Sequence, residues 1–200
     1  MDERKWLPLT IDHLKILKDR ALVELERFLK ETGSPPGKYS VYSDRLLAIC
    51  LCQGAAQFYF ESWYINREQV NETVQVNQEE IKEKKLKLEN GLVLSGVKDI
   101  DIWFFFKEHP KVKIPHRGNM RKSEIINMPQ FGEIRIDFMK KAFPQSVVEE
   151  VNSPIEMIHN YLKIGTSTAN FLRQKSIVGL YPDNLFGSLI WKVKRIYRET

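Results

Sequence analysis

The chain is poor in the residues that build the commonest chemical centres, with two cysteines and four histidines in 200 residues. Cys50 and Cys52 stand two apart in an apolar run. On a strand both would face the same way, with Cα atoms near the upper limit for bridging, so they read as reduced core residues. His13, His109, His116 and His159 have no zinc-like spacing and no thiol partner, which leaves neither a zinc site nor a Cys–His nucleophile. No run approaches the roughly 20 apolar residues needed to cross a bilayer. The densest, Ile100 to Phe106, is broken by Asp101, and no membrane partner is expected. The opening MDERKWLPLT carries four charges and no apolar run, which does not make a secretory signal, so a cytoplasmic location is expected. Ten Gly and nine Pro exclude collagen-like and low-complexity classes.

What is present describes a globular chain of about one domain: 42% hydrophobic and 28% charged residues, with eleven Phe and four Trp. The net charge of +5 permits a polyanionic or nucleotide partner without demanding one.

Thr10 is placed to cap a helix whose apolar positions, Ile11, Leu14, Leu17, Ala21, Leu22, Leu25, Phe28 and Leu29, recur at helical spacing until Gly33. Arg45 to Cys52 reads as a buried strand and Ala55 to Trp63 as a helix. Between Glu61 and Asn90 there are seven carboxylates and five basic residues with few apolar ones, the composition of an inserted solvated helix or arm. Strands follow at Val97 to Phe106 and Glu133 to Met139, with a polar loop between them. Ser153-Pro154-Ile155-Glu156 has the form of a capping box with Pro at the first helical position. Further helices are expected through Phe171 and Leu172, and from Asp183 to about Arg198. These elements make an α+β fold, a small mixed sheet flanked by helices. Residues 1–145 would form the core, with the insertion at about 65–92, and 146–200 a helical C-terminal extension.

The strand Val97 to Phe106 alternates so that Asp99 and Asp101 share a face with Trp103 and Phe105, while Ile100, Ile102, Phe104 and Phe106 take the other. Two carboxylates on a strand apolar on both faces call for a cation. Asp137 interrupts Ile134, Ile136 and Phe138 in the same manner. Neighbouring pairing of the two strands would bring together three hard oxygen donors, suited to one or two magnesium ions and to phosphoryl or nucleotidyl transfer. The structural alternative pairs Asp99 with Lys98 or a loop arginine, and Asp137 with Arg135.

The order Leu51-Cys52-Gln53-Gly54-Ala55, then Asp99-Ile100-Asp101, then Asp137 resembles the nucleotidyltransferase superfamily of the DNA polymerase β-like fold, particularly its small microbial members. The resemblance covers about three quarters of the chain, omits the charged insertion, and extends into Lys175 to Trp191. It implies a nucleoside triphosphate such as ATP as substrate, magnesium as cofactor, and transfer of a nucleoside monophosphate to a small-molecule, RNA or protein acceptor. Asp99, Asp101 and Asp137 would then be catalytic and metal-binding, and Gln53, Gly54 and Ala55 would form the phosphate turn. Lys98, Arg117 and Arg121 would be further nucleotide contacts. Ala55 stands where the family often has Ser, and 45 positions separate Gly54 from Asp99, more than is usual there.

Lys107 to Lys122 holds six basic residues and one acid, a local balance that puts the positive charge in a loop expected beside the acids. Two other functions remain open: a non-catalytic module of the same fold that binds RNA or a protein, and a metal-dependent nuclease. The nuclease reading lacks an acid-x-Lys element, since Glu133-Ile134-Arg135 has Arg instead.

Overall fold

A computed structural model describes residues 9–31, 37–62, 86–87, 93–94, 97, 99–114, 121–149, 151–174 and 176–192. Helix α1, Ile11–Glu31, begins with a reciprocal cap. Thr10 Oγ1 accepts from His13 N at 3.4 Å, and Thr10 N donates to His13 Nδ1 at 2.9 Å. With Nδ1 accepting, Nε2 carries the proton and donates to Pro129 O at 2.8 Å, tying α1 to the sheet. Strand β1, Leu46–Cys52, runs directly into helix α2, Gln53–Ser62. Of the charged insertion, only the short pairing of β2, Leu86–Lys87, with β3, Val93–Leu94, is among the described residues.

Strand β4 is Asp99–Lys107, β5 is Lys122–Met128 and β6 is Gly132–Phe143. Short helices α3, Gln145–Val148, α4, Pro154–Lys163, and α5, Ser167–Leu172, follow. Strands β7, Ile177–Tyr181, and β8, Leu189–Trp191, complete a six-stranded mixed sheet of order β5-β6-β4-β1-β7-β8. β4 and β6 run parallel, whereas the other neighbouring pairs are antiparallel.

Three expectations change. The polar loop after β4 contains the whole of β5, whose buried side chains are only Ile126 and Met128, too few to give a strand signal. The helix expected from Asp183 is instead a 3-10 turn at Asp183–Leu185 followed by β8; residues 193–200, which would have finished it, lie outside the described residues. Gly179 explains the tight return: a Cβ there would meet the Leu185 carbonyl, lying 2.9 Å from its carbon. Ser153 does occupy the N-cap of α4 with Pro154 next, but its side chain makes no capping bond.

The sheet carries two cores. On one face, Leu14, Leu17, Ala21 and Phe28 of α1 pack with Ile49, Leu51, Ile100, Ile102, Phe104, Ile136 and Phe138. On the other, α3–α5 cover Cys50, Cys52, Trp103, Phe105 and Phe143. The α1 face also buries an ion cluster. Glu24 is 3% exposed and accepts from Lys140 Nζ at 2.5 Å and from Arg27 Nε and Nη2, each at 2.7 Å. Lys122 Nζ lies 3.4 Å away. Burial opposes the Glu24 charge, but these bonds outweigh it and hold the carboxyl below its ordinary range. The Lys140 ammonium also sits over the rings of Phe28 and Phe104, at 5.4 and 5.5 Å.

Candidate functional site

The acids lie on the α3–α5 face, where the registers of four strands coincide. Cys52 of β1 pairs with Asp101 of β4, Asp101 with Asp137 of β6, and Asp137 with Ser123 of β5. These four residues form one row across the sheet, each step about 4.8 Å. The adjacent row places Asp99 beside Arg135, and Arg135 beside Ile125. Because β1 ends at Cys52, the row abuts the start of α2. Gln53 takes a positive φ of 63° there and its amide donates to Phe171 O at 3.3 Å, fixing the turn against α5.

Asp137 is fully buried. Arg121 donates to its Oδ2 and Ser123 to its Oδ1, while Arg135 Nε lies 3.4 Å from Oδ2. Burial raises its pKa, but the hydrogen bonds from Arg121 and Ser123, with the charges of Arg121 and Arg135, prevail and hold it below the usual carboxylate range. Arg135 also donates to Asp99 Oδ2 at 2.6 Å, so one guanidinium bridges Asp99 and Asp137. Arg121 is pushed above its ordinary pKa, first by its bond to Asp137 and then by the charges of Asp137, Asp101 and Asp99. Both guanidiniums are about half exposed, so the row opens to solvent on their side. Trp103, two residues along β4 from Asp101, keeps its indole Nε1 buried without a hydrogen-bond partner.

The predicted residues thus divide. Asp101 and Asp137 are direct cross-strand neighbours, and Asp99 joins them through Arg135. Gln53 and Gly54 border the row at the β1–α2 junction, but Ala55 packs into the α1-side core. Arg121 reaches Asp137, whereas Lys98 and Arg117 lie outside the described residues. The basic loop is a correction. Since β4 and β6 are parallel, the loop leaves β4 at Lys107, eight residues or about 26 Å from Asp99. Lys107, Lys111 and Lys113 therefore start at the far end of the sheet, and among the loop's described residues Arg121, where the chain re-enters, is the one that meets the acids. Ser123 and Arg135 were not among the predicted site residues. Their signal was the period of two that puts Ser123 on the Arg121 side of β5 and Arg135 on the Asp137 side of β6.

The donor set suits magnesium in kind, being all carboxylate oxygen with Asp137 held ionised. In this arrangement, however, guanidiniums answer Asp99 and Asp137, and among the described residues no three His, Cys, Asp or Glu side chains are gathered closely enough to hold a metal ion. No helix among the described residues is long and apolar enough to cross a membrane. Comparison with family models, with curated proteins and with solved structures gives no match.

Proposed function

We propose that this chain is a magnesium-dependent nucleotidyltransferase, moving a nucleoside monophosphate from a nucleoside triphosphate to a small-molecule, RNA or protein acceptor. The observation that carries the reading is the cross-strand row that sets Asp101 between Cys52 and Asp137 at the foot of α2. The N-terminus of this ten-residue helix offers backbone N–H groups and positive dipole to a phosphate. Asp99, Asp101 and Asp137 would hold one or two magnesium ions, which supply positive charge to the attacking and leaving oxygens of the transfer. Arg121 and Arg135, half exposed, can offer planar forks to phosphate oxygens while keeping Asp137 charged. A carboxyl held below its ordinary range binds a proton weakly, so Asp137 suits charge holding better than proton abstraction. Gln53, anchored on Phe171, shapes the turn.

Incubation with α-labelled nucleoside triphosphates and magnesium, alongside calorimetric titration of MgATP and the other triphosphates, tests this. Binding by the wild type that falls at least tenfold in Asp101→Asn supports it. No triphosphate binding, or equal binding by the variant, sinks it, and cleavage of labelled DNA or RNA in the same mixture would point to hydrolysis instead.

One observation favours a second reading, a non-catalytic module that binds RNA or a protein. The carboxylates are answered by arginines rather than gathered on one another. RNA binding that weakens with salt and survives Asn at Asp99, Asp101 and Asp137, without turnover, would select it. Absent or salt-insensitive RNA binding would remove the RNA form of it.

A further inference from the structure

Transfer of a nucleoside monophosphate displaces pyrophosphate from an α-phosphorus, so the attacking and leaving oxygens must stand on opposite sides of that atom. The carboxylate row has a direction that supplies both sides. At one end Cys52 runs into α2, at the other stands Ser123, and Asp101 and Asp137 lie between them. Three strand spacings separate the ends, about 14 Å in all. A phosphorus held over the acids with its pyrophosphate towards α2 therefore turns its open side to β5.

Ser123 occupies that side. Its hydroxyl donates to Asp137 Oδ1 across the register pair the two residues form. A hydroxyl that donates one hydrogen bond keeps lone pairs on its oxygen with which to attack. Access is open: β5 gives no side chain to the core under α3–α5, Ser123 is exposed, and Ile125, next on the same face, is 70% exposed. Two cations stand by for the negative charge that would arrive. Arg121, two residues before Ser123, and Arg135 both approach Asp137 Oδ2, and both guanidiniums are about half exposed.

Given the nucleotidyltransferase reading, on which this step rests, we propose that the chain transfers a nucleoside monophosphate to its own Ser123 hydroxyl. Ser123 Oγ attacks the α-phosphorus. The Oγ–P bond forms as the bond from the α-phosphorus to the pyrophosphate oxygen breaks, leaving a phosphodiester between Ser123 and the nucleoside. The hydroxyl proton departs along the hydrogen bond to Asp137. Asp137, held below its ordinary range, binds it too weakly to retain it, so it ends on the departing pyrophosphate. No further reactant is consumed, and because the modified serine has lost its hydroxyl, each chain reacts once.

Incubation of the full chain with magnesium and α-labelled ATP, GTP, CTP or UTP, followed by denaturation, intact-mass measurement and peptide mapping, tests this. With at least one triphosphate the label is expected to survive denaturation, map to Ser123 and level off at one nucleoside monophosphate per chain, whereas a γ-label leaves none. The rate per chain should not change on dilution, as transfer within one molecule requires. Ser123→Ala should lose the label while calorimetry still shows triphosphate binding, and Ser123→Thr, which keeps a hydroxyl, should regain part of it. Triphosphate binding by the wild type without covalent label, a label that persists in Ser123→Ala, or a rate that falls on dilution would each overturn the proposal and leave the nucleotidyltransferase reading standing. Absence of triphosphate binding, or a label arriving from the γ-phosphate, would remove both. If Ser123→Ala fails to fold, the mapped position of the wild-type label decides alone: Ser123 upholds the proposal and any other residue overturns it.

Discussion

Glu24→Gln removes the charge at the centre of the buried cluster while nearly keeping its volume. Lys140, with a side chain 2% exposed, then loses the one carboxylate it is bonded to among the described residues. Stranding a buried charge in this way costs about 3–5 kcal/mol. The upper end coincides with the roughly 4.6 kcal/mol needed to deprotonate an ordinary lysine at pH 7, since beyond that point Lys140 gives up its proton. For a chain of this length the loss corresponds to about 6–20 °C in Tm. Lys140→Met is expected to cost less, about 1–2 kcal/mol, because Glu24 keeps the Arg27 fork and Lys122. The pH dependence has a definite sign. Burial already pushes the Lys140 ammonium below its ordinary pKa, with Glu24 pulling it part of the way back; in the Gln variant that pull is lost and the folded-state value falls further below the unfolded one, so stability is recovered as pH rises towards 10. By pH 9 the deprotonation ceiling drops to about 1.9 kcal/mol. Urea titrations followed by Trp fluorescence at pH 6, 7 and 9 would measure this. A loss below about 1 kcal/mol at pH 7, a larger loss for Lys140→Met, or no recovery by pH 9 would refute the reasoning.

Gly179→Ala should destabilise by about 1–3 kcal/mol or more, because the clash is with the Leu185 backbone rather than a movable side chain; urea midpoints would report it. Burial pushes both the Cys50 and Cys52 thiols up, and both are fully buried, so a thiol reagent should modify neither until the chain unfolds; rapid labelling of the native protein would contradict this. Asp137 and Glu24 both titrate below their ordinary values. Their stabilisation is therefore present above about pH 4 and lost as pH falls through the lowered folded-state values. Asp137→Asn should flatten the acid side of the stability profile between pH 5 and 3, and an unchanged slope would show that Asp137 is not held down.

The central strands were legible because apolar alternation at Ile100–Phe106 and Ile134–Phe138 is dense enough to assign faces, and the same alternation exposes each acid as an interruption. The buried cluster was equally present in the pattern. Glu24 falls on the Leu14, Leu17, Ala21, Phe28 stripe and Lys140 continues Ile134, Ile136, Phe138, two opposite charges at core positions that answer one another. Strand direction was not legible, because side-chain alternation reads identically whichever way a neighbour runs. The parallel pairing of β4 with β6 is what starts the basic loop at the far end of the sheet and makes Arg121 the one of its described residues that reaches the acids. β7 and β8 were hidden because Gly179 and Pro182 read as helix breakers, while the strand they interrupt has only five residues.

The central strand β1 acquires its two partners at very different times. Its pairing with β4 joins residues about 50–60 apart, but its other edge waits for β7, where Ile49 meets Tyr181 and Cys52 meets Ile177. During synthesis the apolar LLAICLC segment therefore presents one unpaired edge until nearly all of the described chain has emerged. A chain halted before residue 177 would carry that edge exposed, ready to pair with the same segment of another nascent copy, so the last strands guard the first one against self-association.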